Sequence, residues 1–524
     1  MMGAWTVAQV RAAEQQRLAQ VPDGALMQRA AAALANVCAG ELRAARHRVT
    51  GSRVVLLVGA GNNGGDALWT GARLAARGAR VDAVLLAPQV HPQGLAALTS
   101  AGGRPVRDLS RAPGLLAAAD LVVDGIVGLG GSPGLREPAA GLVAGIPPRV
   151  RVVAVDLPSG VDPDTGATPG PHVVAGVTVS FGAAKGCLLL PPAGRAAGRV
   201  VEVDLGMRGM LPDPAPLERL ELADAGRLWP VPGPADDKYR RGVLGVVAGS
   251  AAYPGAAVLA VGGALRAGVG MVRYLGPEHA AEHVRLHWPE VVVGDGRVQA
   301  WLVGSGVDPS AGDGQRAAVH RALASDLPVV VDAGALAILR EACPGGRSAP
   351  TLLTPHAGEL ARLLAQWSGR PVSREDVEAQ PLPHARQAAE LTACTVLLKG
   401  STTLVVQPRG TGAAPGRVRT QADGPAWLAT AGAGDVLAGI AGSLLAGGLD
   451  PLDAGSAAAL VHGQAASRAS GGGPILAQDV AQALPATVAA AIGSAFGSAI
   501  GHAVGHAVGA PAGPSVAPGR MSSP

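Results

Sequence analysis

Lysine is nearly missing from this chain. Lys185, Lys238 and Lys399 are its only lysines, and the other forty of 43 basic residues are arginine. Aromatics are also sparse: two Phe and three Tyr in 524 residues leave any core to Ala, Val and Leu. The four cysteines, Cys38, Cys187, Cys343 and Cys394, are scattered without CxxC spacing. That excludes a disulfide framework and a zinc site, and it fits buried, inert thiols. Charge of one sign is absent too. A formal net charge of +4, with no basic stripe among aromatics, argues against nucleic acid as a partner. The opening MMGAWTVAQVRAAEQQ lacks the charged start and apolar run of a secretory signal, so a cytoplasmic protein is expected. Arg and Ala at the expense of Lys suggest GC-rich coding. Under that pressure lysine persists best where a planar guanidinium cannot replace a compact, flexible ammonium. Lys399, which closes an apolar run before Gly400, is the best placed of the three.

At this length the chain exceeds one ordinary core, and two or three domains are expected. Apolar residues make up 48%, enough to bury them. Residues 6 to 46 have helical spacing. Apolar strand-like runs then alternate with helical stretches: 53–59, 80–88, 120–125, 150–156, 172–181 and 198–206. Such alternation implies α/β architecture, a parallel sheet covered on both faces. Residues 207 to 237, rich in Pro, break the pattern. A second series follows at 242–249, 271–276, 301–306, 327–334, 351–356, 395–400 and 402–407, ending in helices near 434–447, 452–470 and 477–492. The expected division is 1–210, a linker at 211–234, 235–492, and a low-complexity tail at 493–524. The tail repeats glycine at GxxxG spacing, which raises a membrane or helix-pairing segment, but composition favours a plain tail and no membrane. His502 and His506, four apart in it, are a weak metal signal.

Two glycine-rich loops carry the chemistry. GAGNNGGDA (59–67) follows a strand, and TAGAGDVLAG (430–439) leads into a helix. Each offers backbone N–H groups at a helix start, a natural anion site. GAGNNG is formally a GxGxxG. A dinucleotide-binding Rossmann unit also needs an acid at the end of its second strand, and that strand ends in Leu85, Leu86, Ala87 and Pro88, with Asp82 too early to serve. The ends of the parallel strands instead supply Asn62, Asn63 and Asp66, then Asp124, then Asp156 and Ser159. Amide, carboxylate and hydroxyl oxygens without His or Cys suit a hard cation. Asp156 could serve as a general acid or base, and Asp124 and Asp156 could each merely cap a turn.

NNGGD, VDGIVGLGG and AVDLPSGVDPDTG closely resemble the NAD(P)H-hydrate epimerase family, the YjeF N-terminal domain, over about residues 5 to 208. ALMQRAA is similar to that family's early helix, with Gln28 and the last Ala departing from it, and Ala67 stands where many members have Gly. The resemblance implies a Rossmann-like sheet. It implies that Asn62, Asn63, Gly64, Gly65 and Asp66 bind the hydrated nucleotide together with Gly128, Leu129, Gly130, Gly131, Ser132, Pro133, Gly134 and Asp156. It further implies that Asn63, Asp124 and Ser159 hold K+.

In GAGD, the amides of Ala433 to Asp435 could hold a developing phosphoryl charge while Asp435 takes a hydroxyl proton. The chain has no GxxxxGK[ST], so a P-loop is excluded, and the string looks like the ribokinase superfamily. With YPGAA (253–257), TPHAGE (354–359) and LLKGSTT (397–403), residues 230 to 490 resemble the ADP/ATP-dependent NAD(P)H-hydrate dehydratases. The resemblance implies a ribokinase-like sheet, so two three-layer αβα domains in all. It implies that Ala256, Gly306, His356 and Asp435 bind the hydrate, and that Lys399, Gly400, Ser401, Thr402, Thr403 and Gly434 bind the adenine nucleotide. VGSGVD departs from the family's GPGLG, with Ser305 in place of Pro.

Together the two resemblances imply repair of hydrated NADH and NADPH, called NAD(P)HX. One site epimerises the R and S forms at C6. The other dehydrates the S form with ADP hydrolysed to AMP and phosphate, Mg2+ accompanying the nucleotide. Asp156 and Asp435 are the expected catalytic residues, and a homo-oligomer is expected. The rival reading is a vitamin-precursor kinase with a fused nucleotide-binding domain, which would release a stable phosphorylated product.

Overall fold

The computed structural model describes residues 1–310, 314–410 and 416–497, so His502 and His506 and nearly all of the 493–524 tail lie outside the described residues. The first half contains β1 (Met2–Trp5), β2 (Arg53–Val58), β3 (Arg80–Leu85), β4 (Arg104–Val106), β5 (Leu121–Gly125), β6 (Arg151–Val155), β7 (Val177–Phe181), β8 (Ala184–Lys185), β9 (Arg199–Val203) and β10 (Leu217–Arg219). The second half adds β11 (Val243–Val247), β12 (Met271–Tyr274), β13 (Val292–Val293), β14 (Ala300–Val303), β15 (Val329–Val331), β16 (Thr351–Leu353), β17 (Thr395–Leu398), β18 (Thr403–Val406) and β19 (Val418–Gln421).

Seven strands form one parallel sheet in the order β4-β3-β2-β5-β6-β7-β9. Its strands are continuous apolar runs because both faces are covered. Val54, Leu56 and Val58 enter one core, and Val55 and Leu57 enter the other, as period-two alternation requires. The chain reverses its direction of travel across the sheet between β2 and β5, so the loops after those strands diverge to opposite faces and open a crevice.

The second sheet has twelve strands, ordered β13-β12-β11-β14-β15-β16-β17-β18-β19-β10-β1-β8. From β13 to β17 it is parallel, and β18 and β19 follow as antiparallel neighbours. Its last three strands come from the first half of the chain. β1 pairs with β10 antiparallel and with β8 parallel, with Trp5 opposite Lys185. One apolar core correspondingly joins Ala4, Leu157 and Leu188 with Val243, Val303 and Leu353.

The Pro-rich stretch expected to link the halves is ordered, containing β10 and a helix at Leu222–Leu228. Glu218 on β10 is buried between Arg417 (2.9 Å) and Arg419 (3.0 Å). The early helical segment splits into Val7–Leu18 and Ala25–Arg46 around Pro22 and Gly24. The cysteines are free, three of them buried, and burial pushes the Cys38 thiol up to about 12. The helix Ala477–Phe496 is long and apolar enough to cross a membrane by length and composition, and here it packs on the helices Leu222–Leu228, Pro254–Ala267 and Pro451–Ser470.

Candidate active sites

The first site lies at the reversal point of the seven-stranded sheet. A Cβ on Gly59 would stand 1.8 Å from Ile126 O, and one on Gly128 would stand 2.3 Å from Asn63 Oδ1. Only glycine lets the loops after β2 and β5 approach this closely. The helix Asn62–Ala76 starts from Gly61 with no side-chain cap. Asn63 Nδ2 donates to Val155 O (2.7 Å), tying that helix start to the end of β6. Asp124, fully buried at the end of β5, accepts from Ser159 Oγ (2.6 Å) and Ser159 N (2.8 Å). Burial lifts its carboxyl to about 6, against the pull of those hydrogen bonds. Ser159 Oγ also accepts from Val127 N and lies 3.0 Å from Val127 O. The loop Gly128 to Gly134 turns tightly, with Gly131 N donating to Gly128 O, and its far end is pinned by Gly134 N to Gly160 O (2.8 Å).

Asp156 follows β6 directly with φ of +67°, a left-handed conformation uncommon outside glycine. Its Oδ1 accepts from Phe181 N (3.1 Å) and from the buried Lys185 ammonium. Asp66 is buried with Oδ1 unpartnered, and its carboxyl sits well above the usual range through burial, Asp156 and Glu14, with Lys185 opposing. Glu14 is likewise raised, by burial first and then Asp156. The structure therefore gathers Asp66, Asp156, Glu14 and Lys185 into one pocket. Asp82 stands apart, in a bidentate pair with Arg104 (2.8 and 3.0 Å) on the neighbouring strand, so it holds no ribose.

The second site lies where β14 to β17 end against the helix Ala433–Ala446. That helix starts from Gly432 in the left-handed region, with no side-chain cap. Ala433 N and Asp435 N turn back to Thr430 O and Gly432 O, and the Gly434 amide has no backbone partner among the described residues. A Cβ on Gly434 would lie 3.5 Å from Lys399 Nζ, so the lysine and the helix start adjoin. Lys399 Nζ donates to Asp332 Oδ1 (3.0 Å) and lies 3.6 Å from Glu359 Oε2. Burial opposes its charge, yet Asp332 and Glu359 outweigh burial and raise its pKa. Asp332 also accepts from Ser305 Oγ (2.9 Å) and Thr354 Oγ1 (2.8 Å). Burial and then Asp332 push the Asp435 carboxyl up to about 7, with Lys399 and Ser305 pulling the other way.

Gly306, at φ +69°, packs on Ala256, where an added Cβ would come within 2.6 Å. His356 caps the helix Ala357–Ser368. Its Nδ1 accepts from Gly358 N (3.1 Å) and Glu359 N (3.3 Å), while its backbone N–H donates to Glu359 Oε2 (2.8 Å). Its pKa is lowered, by burial first. Gly400, Ser401 and Thr402 turn the chain from β17 into β18, which Thr403 opens. Asp332, Glu14 and Ser305 carry no role in the sequence reading. Asp332 had a readable signal: it ends a parallel strand in VVVD, as Asp124 and Asp156 end theirs.

Two family models match the chain one after the other. Residues 23–187 match the model of the YjeF-related protein N-terminus, and residues 244–486 match that of NAD(P)H-hydrate dehydratase. The "bifunctional NAD(P)H-hydrate repair enzyme Nnr" of Mycobacterium tuberculosis H37Rv is 47% identical over 447 residues, covering 83% of this chain and 87% of that one. The Mycobacterium leprae protein of the same name is 47% identical over 448 residues, with the same coverage. Among solved structures, an ADP/ATP-dependent NAD(P)H-hydrate dehydratase from Bacillus subtilis, co-crystallised with ATP and Mg2+, shares 25% identity at a TM-score of 0.45 and covers 52% of this chain and 98% of its own.

Proposed function

The chain belongs to the bifunctional NAD(P)H-hydrate repair enzymes, and from that premise we propose how its two sites divide the work. Residues 1–210 carry epimerisation and 235–492 carry dehydration, joined through 211–234. The observation that carries this reading is a pair of carboxylates, each beside a lysine: Asp156 with Lys185, both buried, and Asp435 with Lys399, both half-buried.

In the first site, Asn62 to Asp66 and the Gly128–Gly134 loop bind the hydrated nucleotide. Inversion at C6 breaks and remakes one bond there, and Asp156 carries the accompanying proton. Asp124, Ser159 and the Val127 carbonyl are tied by hydrogen bonds, and with the Asn63 amide oxygen they offer oxygen atoms of the kind that fits K+. K+ would neutralise Asp124 and stiffen the loops around the substrate.

In the second site, Ala256, Gly306 and His356 place the C6 hydroxyl before Asp435. With its carboxyl near 7, Asp435 is substantially ionised at neutral pH and takes that proton as the oxygen attacks the terminal phosphorus of ADP. AMP leaves; the C6–O bond then breaks with phosphate as the leaving group and C5 gives up a proton, which forms the C5=C6 double bond of NAD(P)H. Hydroxide itself would leave far more slowly. Lys399 and the Gly434 amide face the transferring phosphoryl, with Gly400 to Thr403 beside the nucleotide. Among the described residues no cluster of three metal-ligating side chains occurs. Mg2+ would arrive on the nucleotide phosphates, where it would neutralise their charge.

The test is an assay of the full chain on mixed NADHX epimers with ADP, reading NADH absorbance. Asp435→Asn should abolish NADH formation but leave R-to-S conversion, and Asp156→Asn should do the reverse. A stable phosphorylated product without NADH would favour the vitamin-precursor kinase. A cytoplasmic location and a homo-oligomeric assembly belong to the same proposal, to be read by fractionation and by light scattering.

A further inference from the structure

We propose that Lys185 is the positioning residue of the epimerase site, fixing the Asp156 carboxylate, and that the twelve-stranded sheet delivers it there. The inference rests on Asp156 as the proton carrier of that site.

The lysine is 1% exposed, and its ammonium has three hydrogens to place. They meet Asp156 Oδ1, Ser180 Oγ (3.2 Å) and Phe181 O (3.1 Å). A buried ammonium is costly unless paired, so its presence here is tied to the Asp156 charge. The same Asp156 oxygen takes the Phe181 amide, so two donors fix Oδ1. Oδ2 has no hydrogen bond among the described residues, and the Asp156 carboxylate is near enough to Asp66 and Glu14 to raise both of their carboxyls, after burial. Asp156 makes these contacts from a left-handed backbone at φ +67°. Ammonium geometry matters: a guanidinium is too broad for a site closed by Ser180 and Phe181, which accounts for one of the three lysines in a chain with forty arginines.

The delivery is equally specific. Lys185 belongs to β8, whose register sets Ala184 opposite Ala4 and Lys185 opposite Trp5. β1 is held on its other side by β10 and, just past its end, by Val7 N donating to Asp164 Oδ1 (2.7 Å). Lys185 thus reaches Asp156 from a strand of the other sheet, while Asp156 hangs from the end of β6.

The experiment uses full-length wild type, Lys185→Met and Asp156→Asn. R-to-S conversion of NADHX is followed by chromatography without ADP, with the uncatalysed rate subtracted. Dehydration of the S epimer with ADP, read as NADH, reports on folding. For Lys185→Met we expect epimerisation kcat to fall by about 100-fold, with KM within about threefold and dehydration within about twofold of wild type. Wild-type epimerisation kcat in Lys185→Met beside an inactive Asp156→Asn would overturn the inference and leave the role of Asp156 standing. A raised KM with kcat retained would overturn it too, since Lys185 would then only bind substrate. Full activity in Asp156→Asn would overturn the role of Asp156 and the inference with it. Should Lys185→Met also lose dehydration, Lys185→Gln, neutral but able to hydrogen-bond, decides by the same criteria.

Discussion

Replacing Asp332 with Asn tests the electrostatics of the dehydratase site. Asp332 raises the Asp435 carboxyl, and Lys399, which Asp332 holds, lowers it. Ser305 and Thr354 donate to different oxygens of Asp332; Asn keeps one of these bonds, and its NH2 can donate to the other hydroxyl, so position 332 stays hydrogen-bonded. Removing the negative neighbour makes Asp435 easier to ionise, and a less neutralised Lys399 acts in the same direction. Both effects move the acid limb of the rate profile to lower pH. In the wild type, with the carboxyl near 7, ionisation falls from about nine-tenths at pH 8 to about one-tenth at pH 6. A drop of about one unit, worth about 1.4 kcal/mol, would leave the variant about half ionised at pH 6. Relative to its own plateau, its rate at pH 6 should therefore rise about fivefold over wild type, although the plateau itself falls because Lys399 loses its anchor. The measurement is the initial rate of NADH formation from S-NADHX at saturating ADP, between pH 5.5 and 8.5. An acid limb that stays put or moves to higher pH refutes the reasoning.

Three further outcomes follow from the same structure. K+ against choline should raise the thermal midpoint of the wild type, and above about pH 6 most strongly, because Asp124 is then ionised; Asp124→Asn should lose that response. Gly59→Ala should abolish epimerisation while dehydration continues, since the new methyl would meet Ile126 O at 1.8 Å and part the two loops; an active variant counts against the assigned pocket. Arg419→Met leaves Glu218 with the more exposed Arg417 as its remaining cation and breaks the bond to Asp453 Oδ1 (2.5 Å), so denaturant unfolding should show a loss of about 1.5–3 kcal/mol, and a loss under 1 kcal/mol would show the cluster to be dispensable.

Much of this molecule is written locally. RVVLLV, LVVDG and RVVAV announce buried parallel strands by composition, and the polar residues just beyond them line the crevice because that is where such strands end. Asn63, Asp124, Asp156 and Ser159 are readable on that ground, and Asp332 was open to the same rule. Glu14 was not, because it reaches the pocket from a helix whose sequence gives no sign of what it faces. β1 is only four residues, MGAW, and pairs with segments about 180 and 215 residues away. Long-range pairing of so short a strand leaves no periodic signal. Lys185 therefore looked like one lysine of three, with its partner on the end of another strand.

The shared sheet has a consequence for how the two activities can be inherited. A cut through residues 211–234 would not separate two finished proteins. It would strip β10, β1 and β8 from the longer sheet, leaving β19 with a bare row of N–H and C=O groups, the kind of open flank that recruits strands from other molecules. The smaller fragment would keep β1 and β8 as an unsupported ribbon that still carries Lys185. Fusion in one polypeptide here protects against aggregation as well as fixing the two catalysts at equal number, and a split version would need compensating changes along β19 before either piece could stay in solution.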